Sequence, residues 1–224
     1  MSDQKPSILV DLAYLKAALR IAAKEDIRYF LNGVCIHADA TQTTLVATNG
    51  HMMIILRKPT ENRLTEETTV IIPRDIIENI LRLSSKKITL PLELLQEDDT
   101  TWSAPLTSIS LDSRTRIQFK RIEANFPNWH KVVPKALSGE AGQYSAKLLR
   151  AMQSASADIG APFPPLLQNG PTGAGVMVMA LDCLGIIMPM IDKRAIAPAD
   201  WKRPGWLDPQ EDAAQEPAEA EATA

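Results

Sequence analysis

The stretch SILVDLAYLKAALRIAAKEDIRYFLNGVCIHA, residues 7–38, contains the plan that the rest of the chain repeats. It begins with a short apolar run typical of a strand, and residues 11–25 then place apolar side chains at helical spacing. Asp11 stands where a helix N-cap is expected. The residues after this helix, together with TTLVAT and HMMIILRK, predict three short strands. The unit is therefore a strand, a helix and three strands.

The same order of elements occurs twice more. TTVIIP precedes a predicted helix over residues 74–87, and GQYS precedes another over residues 146–158 with Ser145 as its cap. Short β-rich runs follow both helices, and the units are about 60–75 residues apart. Two such units form an α+β domain with helices on one side of antiparallel sheets. The fold prediction is an α+β chain of three half-units.

Composition and charge divide the chain into a globular body and an acidic tail. Of 224 residues, 45% are hydrophobic and 23% are charged, which suits a protein with a buried core. Six acids and no base follow residue 207, so the net charge of −3 conceals a body of about +3. We predict a complete domain over residues 1–135, a half domain over 136–195 and a disordered Ala/Glu/Pro-rich tail over 196–224.

Several classes of protein are excluded by the sequence. It has no apolar run long enough for a membrane helix and no signal-peptide layout at its start. Cys35 and Cys183 are too few for a disulfide framework, which favours the cytoplasm. His37, His51 and His130 have no Cys or His at metal-binding spacing. No nucleophile or phosphate-binding motif is present either, so we predict no enzyme activity, no metal and no cofactor.

Basic side chains recur on one face of all three predicted helices. A solvated face explains any single helix, but the repetition favours helices that look at one anionic object, such as a phosphate backbone. The helix cations predicted to face such an anion are Lys16, Arg20, Lys24, Arg82, Lys86, Lys147 and Arg150.

Four motifs resemble the bacterial sliding clamp family, the β subunit of DNA polymerase III. RYFLNGV at residues 28–34 and LVATNGHMM at 45–53 resemble its central domain. FPNWHKVVP at 126–134 resembles the linker between its second and third domains, and GIIMPM at 185–190 resembles its C-terminal motif. The resemblance covers roughly residues 7–192 and is weakest over the third half-unit.

The resemblance implies a ring with helices lining a central hole, sheets outside, and a cleft that binds apolar peptides of polymerase and clamp-loader proteins. Four methionines at the implied cleft suit a groove that accepts several peptides, whereas without the family they would be read as core residues. The implied cleft residues are Leu31, Thr48, Gly50, His51, Met52, Met53, Pro127, Lys131, Val132, Ile186, Ile187, Met188, Pro189 and Met190.

An aromatic pair and two departures from the family pattern bear on these sites. Tyr29 and Phe30 stand where the family has aromatic residues near DNA, so we expect Tyr29 and the neighbouring Arg28 to face DNA. A buried strand start is an equal alternative for Phe30. Met52 replaces the usual Arg and Asn49 the usual Asp, which puts the family's peptide preference in doubt for this chain.

The expected function is that of a DNA sliding clamp, a processivity factor of DNA replication. The family's first domain is missing and its last is halved, so four chains of three half-units would match the twelve half-units of the family ring. We expect a homo-tetramer around duplex DNA, in the bacterial cytoplasm at the nucleoid, from a mobile element. The alternative is a non-encircling interaction protein that competes for clamp-binding peptides or caps a host clamp.

Overall fold

The computed structural model describes residues 5–84, 91–107, 114–139, 142–162, 166–169, 173–190 and 202. The chain divides into two units, Met1–Met190 and Ile191–Ala224. All helices and strands below belong to the first unit. The predicted tail over residues 196–224 lies outside the described residues except for Lys202, and the predicted DNA-facing Lys86 lies outside them too. No helix in the described part of the chain is long and apolar enough to cross a membrane.

The three half-units contribute eleven strands and three helices to the described structure. The first half-unit consists of β1 (Ser7–Val10), α1 (Leu12–Ile21), β2 (Gly33–Ala38), β3 (Gln42–Thr48) and β4 (Met52–Pro59). The second consists of β5 (Thr68–Pro73), α2 (Arg74–Leu83), β6 (Leu92–Gln96), β7 (Thr101–Thr107) and β8 (Arg114–Lys120). The third consists of α3 (Ala146–Asp158), β9 (Leu166–Asn169), β10 (Gly175–Ala180) and β11 (Cys183–Ile187).

The structure corrects three element boundaries. Helix α1 ends at Ile21 rather than at residue 25, because Ala22 already has an extended ψ of 143°. Helix α2 ends at Leu83 rather than at residue 87, since Ser84 turns extended with ψ 133°. The run before α3, predicted as a strand, forms no strand over residues 142–145.

The predicted N-cap of α1 is confirmed. The Asp11 side chain accepts a hydrogen bond from the backbone N–H of Ala13 at 2.8 Å. Ser145 occupies the N-cap position of α3, which spans the predicted range, but its side chain makes no capping hydrogen bond.

Two antiparallel sheets organise the strands. One sheet has the order β1-β6-β7-β8, so the first strand of the chain pairs inside the second half-unit. The other has the order β5-β2-β3-β4-β11-β10-β9 and joins strands of all three half-units. The seam of this seven-stranded sheet is the pairing of β4 with β11, in which Met53 lies opposite Ile186 and Met52 opposite Ile187. The seam therefore joins segments that are far apart in sequence.

The side chains of β4 alternate between two apolar clusters, as the pleat of a strand requires. Met52 and Ile54 pack into the main core with side chains of all three helices and both sheets. Met53 and Ile55 belong to a smaller cluster, which includes Ile186 and is covered by partly buried residues of the segment after β8. Both faces of the seven-stranded sheet are thus covered at the seam.

Two of the four outer strands have backbone partners beyond their sheet. Ser7 of β1 exchanges backbone hydrogen bonds of 3.0 Å with Arg63. Ile71 of β5 accepts a hydrogen bond of 2.9 Å from the N–H of Ile122. The outer edges of β8 and β9 have no such partner within the described ranges. Unpaired edges of this kind favour strand pairing with another chain.

Candidate functional site

An apolar cavity of about 230 Å³ lies over the seam between β4 and β11. Its floor is formed by Met53 and Ile186, which are 4% and 1% exposed. The segment after β8 supplies one wall and the turn before β4 another. The lining residues are Arg28, Phe30, Leu31, Thr48, Gly50, His51, Met52, Met53, Phe126, Pro127, Trp129, Val132, Ile186 and Met188. A concave, largely apolar site of this kind suits insertion of apolar side chains from a ligand.

The turn between β3 and β4 is held by its own polar side chains. The Asn49 side-chain oxygen accepts hydrogen bonds from the backbone N–H groups of His51 and Met52 at 3.0 and 3.1 Å. The Thr48 hydroxyl accepts from the N–H of Gly50 at 3.1 Å, and Gly50 has a φ of +84° that favours glycine. Asn49 accepts here as the carboxylate of an Asp would, so this departure from the family pattern preserves the turn.

Arg28 lies at the cavity rather than on a helix surface. Its guanidinium makes a two-pronged contact with Asp26, at 2.9 Å from Nε and 2.8 Å from Nη2. These hydrogen bonds are the main cause that lowers the pKa of Asp26 to about 2. The Asn32 side chain fixes the same loop, because it accepts from the N–H of Asp26 and donates to its carbonyl at 2.8 and 2.9 Å.

The two aromatic residues Tyr29 and Phe30 have different surroundings. Residues Tyr29–Leu31 form a 3-10 turn, so the strand predicted from residue 28 begins only at Gly33. Tyr29 is 57% exposed, while Phe30 is half-buried and lines the cavity. The alternative that Phe30 starts a buried strand is wrong, because Phe30 lies in the 3-10 turn and its ring lines the cavity.

Ten of the fourteen predicted cleft residues line the cavity, and four do not. Ile187 is fully buried in the main core on the opposite face of the strand. Lys131 is exposed at the end of the 3-10 turn Trp129–Lys131. Pro189 and Met190 follow β11, and the N–H of Met190 donates to the carbonyl of Gln143 at 2.7 Å. That the fourteen residues together form a peptide-binding site stays a prediction.

Sequence reasoning missed four lining residues. Arg28 was assigned to DNA and Phe30 to DNA or a strand, while Phe126 and Trp129 were given no cleft role. A signal for the last two was available, because large apolar residues recur at every third position of FPNWHKVVP, at Phe126, Trp129 and Val132. Phe126 and Trp129 pack against the cluster that contains Met53 and Ile186.

A second concave surface, the basic groove, lies between α1 and α3 and has a volume of about 640 Å³. It gathers four of the predicted DNA-facing cations together with Arg74 of α2. The lining residues are Arg20, Lys24, Arg74, Ala146, Lys147, Arg150, Ala151 and Ser154. A groove with this charge suits a polyanion bound through its phosphates.

The cations around the basic groove differ in whether they form an ion pair. Lys16 and Arg20 of α1 both contact Asp158 of α3, and the Lys16 Nζ lies 2.8 Å from a carboxylate oxygen. Burial raises the pKa of Asp158, but hydrogen bonds from Arg20 and Lys16 outweigh it and leave that pKa below its usual range. Lys24, Lys147 and Arg150 have no ion-pair partner among the residues that the structure describes.

Arg74 has a structural role in the basic groove. Its Nη1 donates to the backbone carbonyls of Leu19 and Ala22 at 3.1 and 3.0 Å, and its Nε donates to Glu78 at 2.9 Å. The guanidinium thereby satisfies carbonyls at the C-terminal end of α1, where a positive charge is favourable. Arg82, another predicted DNA-facing residue, is exposed on α2 and donates to the Asn79 side chain at 3.0 Å.

Glu97, Asp98 and Asp99 form a dense group of carboxylates in the turn between β6 and β7. Asp98 accepts hydrogen bonds from the N–H groups of Thr100 and Thr101 at 2.8 and 2.7 Å, so it stabilises the turn itself. Over the described ranges, no group of three or more His, Cys, Asp or Glu side chains is placed to hold a metal ion.

Comparison with known proteins gives consistent matches. Residues 12–128 match the family described as DNA polymerase III beta subunit, central domain. The beta sliding clamp of Salmonella typhimurium is 23% identical over 113 residues, which are 50% of this chain and 28% of that protein. The chain therefore aligns with less than a third of that relative's length.

Solved structures share the fold. The DNA polymerase sliding clamp of Pseudomonas aeruginosa has a TM-score of 0.66 at 14% identity, covering 85% of this chain and 68% of that one. The Helicobacter pylori beta clamp bound to a DNA ligase peptide has a TM-score of 0.65 at 13% identity, covering 85% and 67%. The predicted α+β fold of clamp half-units is confirmed. With more than half of its length matched by the family's central domain, the chain belongs to the DNA polymerase III beta subunit family of sliding clamps.

Proposed function

We propose that the chain is a DNA sliding clamp that binds short apolar peptides of replication proteins in the cavity over the seam and holds them on duplex DNA. The observation that carries this proposal is the cavity itself, with its buried floor of Met53 and Ile186 and its apolar walls. A clamp of the same fold from Helicobacter pylori was solved with a DNA ligase peptide. The proposed action is tethering in the bacterial cytoplasm and has no chemical step.

Peptide binding is tested directly by fluorescence anisotropy with a labelled copy of the ligase peptide from the Helicobacter pylori complex. Met188 is the site for a disruptive variant, because it lines the cavity yet is 45% exposed and so tolerates a charge in the folded chain. Met188→Glu is expected to weaken binding at least tenfold, since a carboxylate at an apolar contact loses its hydration without gaining a partner.

The matched control for this variant is Leu181→Glu. Leu181 is 99% exposed in the turn between β10 and β11, on the same pair of strands but away from the cavity lining. It is expected to leave peptide affinity unchanged. Equal losses in the two variants, or no binding to the unmodified protein, would reject the cavity as a peptide site.

DNA binding is proposed for the basic groove, with Lys24, Lys147 and Arg150 as its main contributors. These cations have no ion-pair partner in the described structure, so their charge is available to phosphates. Lys16 and Arg20 are partly neutralised by Asp158. Tyr29 remains a candidate for contact with an exposed base, because its ring is 57% exposed beyond α1.

Ring closure is proposed through strand edges. The outer edges of β8 and β9 have no strand partner within the described residues, and they belong to different sheets. Head-to-tail pairing of β8 in one copy with β9 in the next would continue the sheets around a closed ring, as heterologous contacts do. Four copies would give the half-unit number of the family ring.

Light scattering behind a sizing column, across a dilution series, tests the ring. A stable mass near four times 24.6 kDa supports encirclement by a tetramer. A persistent monomer rejects it and favours a clamp-like competitor for replication peptides, which retains the cavity. That second function is kept because the cavity is complete within one chain.

A further inference from the structure

The indole of Trp129 connects the apolar cavity to a polar neighbour. Trp129 lines the apolar cavity and also a polar cavity of about 210 Å³ on the same side of the seven-stranded sheet. Its ring stacks on that of His130 with centroids 3.6 Å apart. Its Nε1–H points to the Nε2 of His37, at a distance of 3.3 Å. The position of this cavity wall therefore depends on His37.

The hydrogen bonds of His37 select one protonation state. An indole N–H is only a donor, so the Nε2 of His37 must accept and carry no proton. The proton of the neutral ring is then on Nδ1, which lies 3.0 Å from the Thr69 hydroxyl. The Cys35 thiol, 3.4 Å from Nε2, is a second donor facing that nitrogen. Burial raises the pKa of Cys35 to about 12, so this thiol stays protonated.

Protonation of His37 would make these contacts repulsive. A doubly protonated ring places an N–H against the indole N–H and leaves Trp129 without its acceptor. We propose that His37 is a positioning residue for peptide binding: it holds the indole of Trp129 in the cavity wall, and protonation of its Nε2 releases the indole and weakens the binding of apolar peptides. This inference rests on the peptide-binding function proposed above.

Burial and the neighbouring charged groups both shift the pKa of His37. Burial is the largest influence and lowers the pKa of His37, Glu67 raises it and His130 lowers it, and the net direction is downward. The titratable or charged groups that share its cavities are Asp39 after β2, Arg57 on β4, Glu67 before β5, and Arg121 and His130 after β8. Neutral His37 therefore predominates at neutral pH, and release of Trp129 is expected only in the acidic range.

Peptide affinity measured from pH 8 to pH 5.5 tests the proposal. In the unmodified protein we expect constant affinity at neutral and higher pH and a progressive loss toward pH 5.5 of at most about tenfold, the size of one hydrogen bond. His37→Gln keeps an acceptor for Trp129 and a donor for Thr69 at every pH, so its affinity is expected to stay flat. Trp129→Phe keeps the ring but lacks the N–H, and its profile is expected to be flat as well.

Matched histidine variants separate His37 from its neighbours. His130→Gln and His51→Gln change the ring stacked on Trp129 and the histidine of the cavity turn. Both are expected to retain the loss at low pH. A loss of the same size in His37→Gln as in the unmodified protein, or a flat profile in His130→Gln, would overturn the assignment to His37.

Nuclear magnetic resonance gives a measurement that needs no peptide. The indole N–H resonance of Trp129, assigned by its absence in Trp129→Phe, is expected to move with pH in the unmodified protein and to stay still in His37→Gln. A Trp129 resonance that does not move with pH in either protein would refute the positioning role of His37 even if peptides bind. A moving resonance in a protein that binds no peptide at pH 7.5 would instead reject the proposed function.

Discussion

The apolar cavity and the basic groove lie at the same junction of the first and third half-units, but they are built in different ways. The cavity is fixed by short-range packing and by hydrogen bonds within the turn at Thr48–Met52 and the loop at Asp26–Asn32. The basic groove collects long side chains from three helices, and some of these side chains are held by an ion pair with Asp158 or by hydrogen bonds from Arg74 to the end of α1.

This difference predicts two kinds of recognition. A site made by packing discriminates ligands by shape and is sensitive to single substitutions. A site made by separate cations responds to total charge and to salt, and it tolerates the movement of a bound polyanion. Under the proposed function, the first surface would hold a defined peptide and the second would let DNA slide.

The largest expected effect is charge reversal in the basic groove. Lys24→Glu, Lys147→Glu and Arg150→Glu together should weaken binding to duplex DNA by about a hundredfold or more and lower the salt slope by about 2.7, or 0.9 per lost phosphate contact. Salt-titrated anisotropy with labelled duplex measures this, and peptide affinity should not change. The control reverses Arg57, Lys131 and Lys135, which are exposed and lie neither in the groove nor on β8. Equal losses in both triple variants would mean that the groove has no special role.

The next effect concerns the end of α1. Arg74→Met removes the contacts of the guanidinium with the carbonyls of Leu19, Ala22 and Ala23 and with the Glu78 carboxylate. We expect the free energy of unfolding to fall by about 2–3 kcal/mol, because the guanidinium hydrogen bonds are charge-assisted and the carbonyls lose their partner. Urea denaturation measures this fall. Arg82→Met on the exposed face of α2 should cost less than about 0.5 kcal/mol. Similar costs in the two variants would show that Arg74 does not secure α1.

A smaller effect is expected at the turn of the cavity. Gly50→Ala adds strain at a φ of +84° and places a Cβ 2.8 Å from the Arg28 Nη2, so it should displace Arg28 from Asp26 and weaken peptide binding about fivefold. Gly139→Ala is the control, since Gly139 has a φ of +76° with no heavy atom within 4 Å of an added Cβ. Gly139→Ala therefore adds the same kind of backbone strain as Gly50→Ala but no close contact with another residue. Unchanged peptide affinity in Gly50→Ala would show that this side of the cavity adapts to the added Cβ without affecting peptide binding.

The smallest expected effect is an increase in DNA affinity, opposite to the decrease expected from charge reversal in the basic groove. Asp158→Asn frees Lys16 and Arg20, so DNA affinity should rise about threefold while the free energy of unfolding falls by about 1 kcal/mol. Asp182→Asn, at the exposed pair with Arg57, is the control. The folded pKa of Asp158 is depressed, so its stabilisation is present above the unfolded value and is lost as the pH falls through the folded one. Weaker DNA binding by Asp158→Asn would contradict the neutralisation of these cations.

The sequence predicted the units but not the contacts between them. Helix periodicity and the Asp11 cap located α1, because both are local signals. Its end at Ile21 was missed because no Gly or Pro follows, and only the extended Ala22 stops it. The ion pairs of Asp158 with α1 join residues 138 positions apart for Arg20, and no spacing rule reports such a contact.

The candidate site shows the same division. The motif residues around Gly50 were identified because each is fixed by neighbours in the chain. For Arg28, the sequence neighbours predict a position facing DNA, which stays a prediction, and they do not reveal that its guanidinium contacts Asp26 beside the cavity. Ile187 was included because the motif is continuous, but alternation along β11 directs its side chain to the other face.

The seam has a consequence for synthesis on the ribosome. Strand β4 ends at Pro59, and its partner β11 begins only at Cys183, so more than a hundred residues are translated between the two halves of the cavity floor. A nascent chain therefore has no apolar cavity until β11 has emerged and paired. Ligands that require this cavity can bind only a chain in which β4 and β11 have paired. The proposed peptide capture is therefore confined to such chains, and a bound peptide would in turn oppose the reopening of the seam.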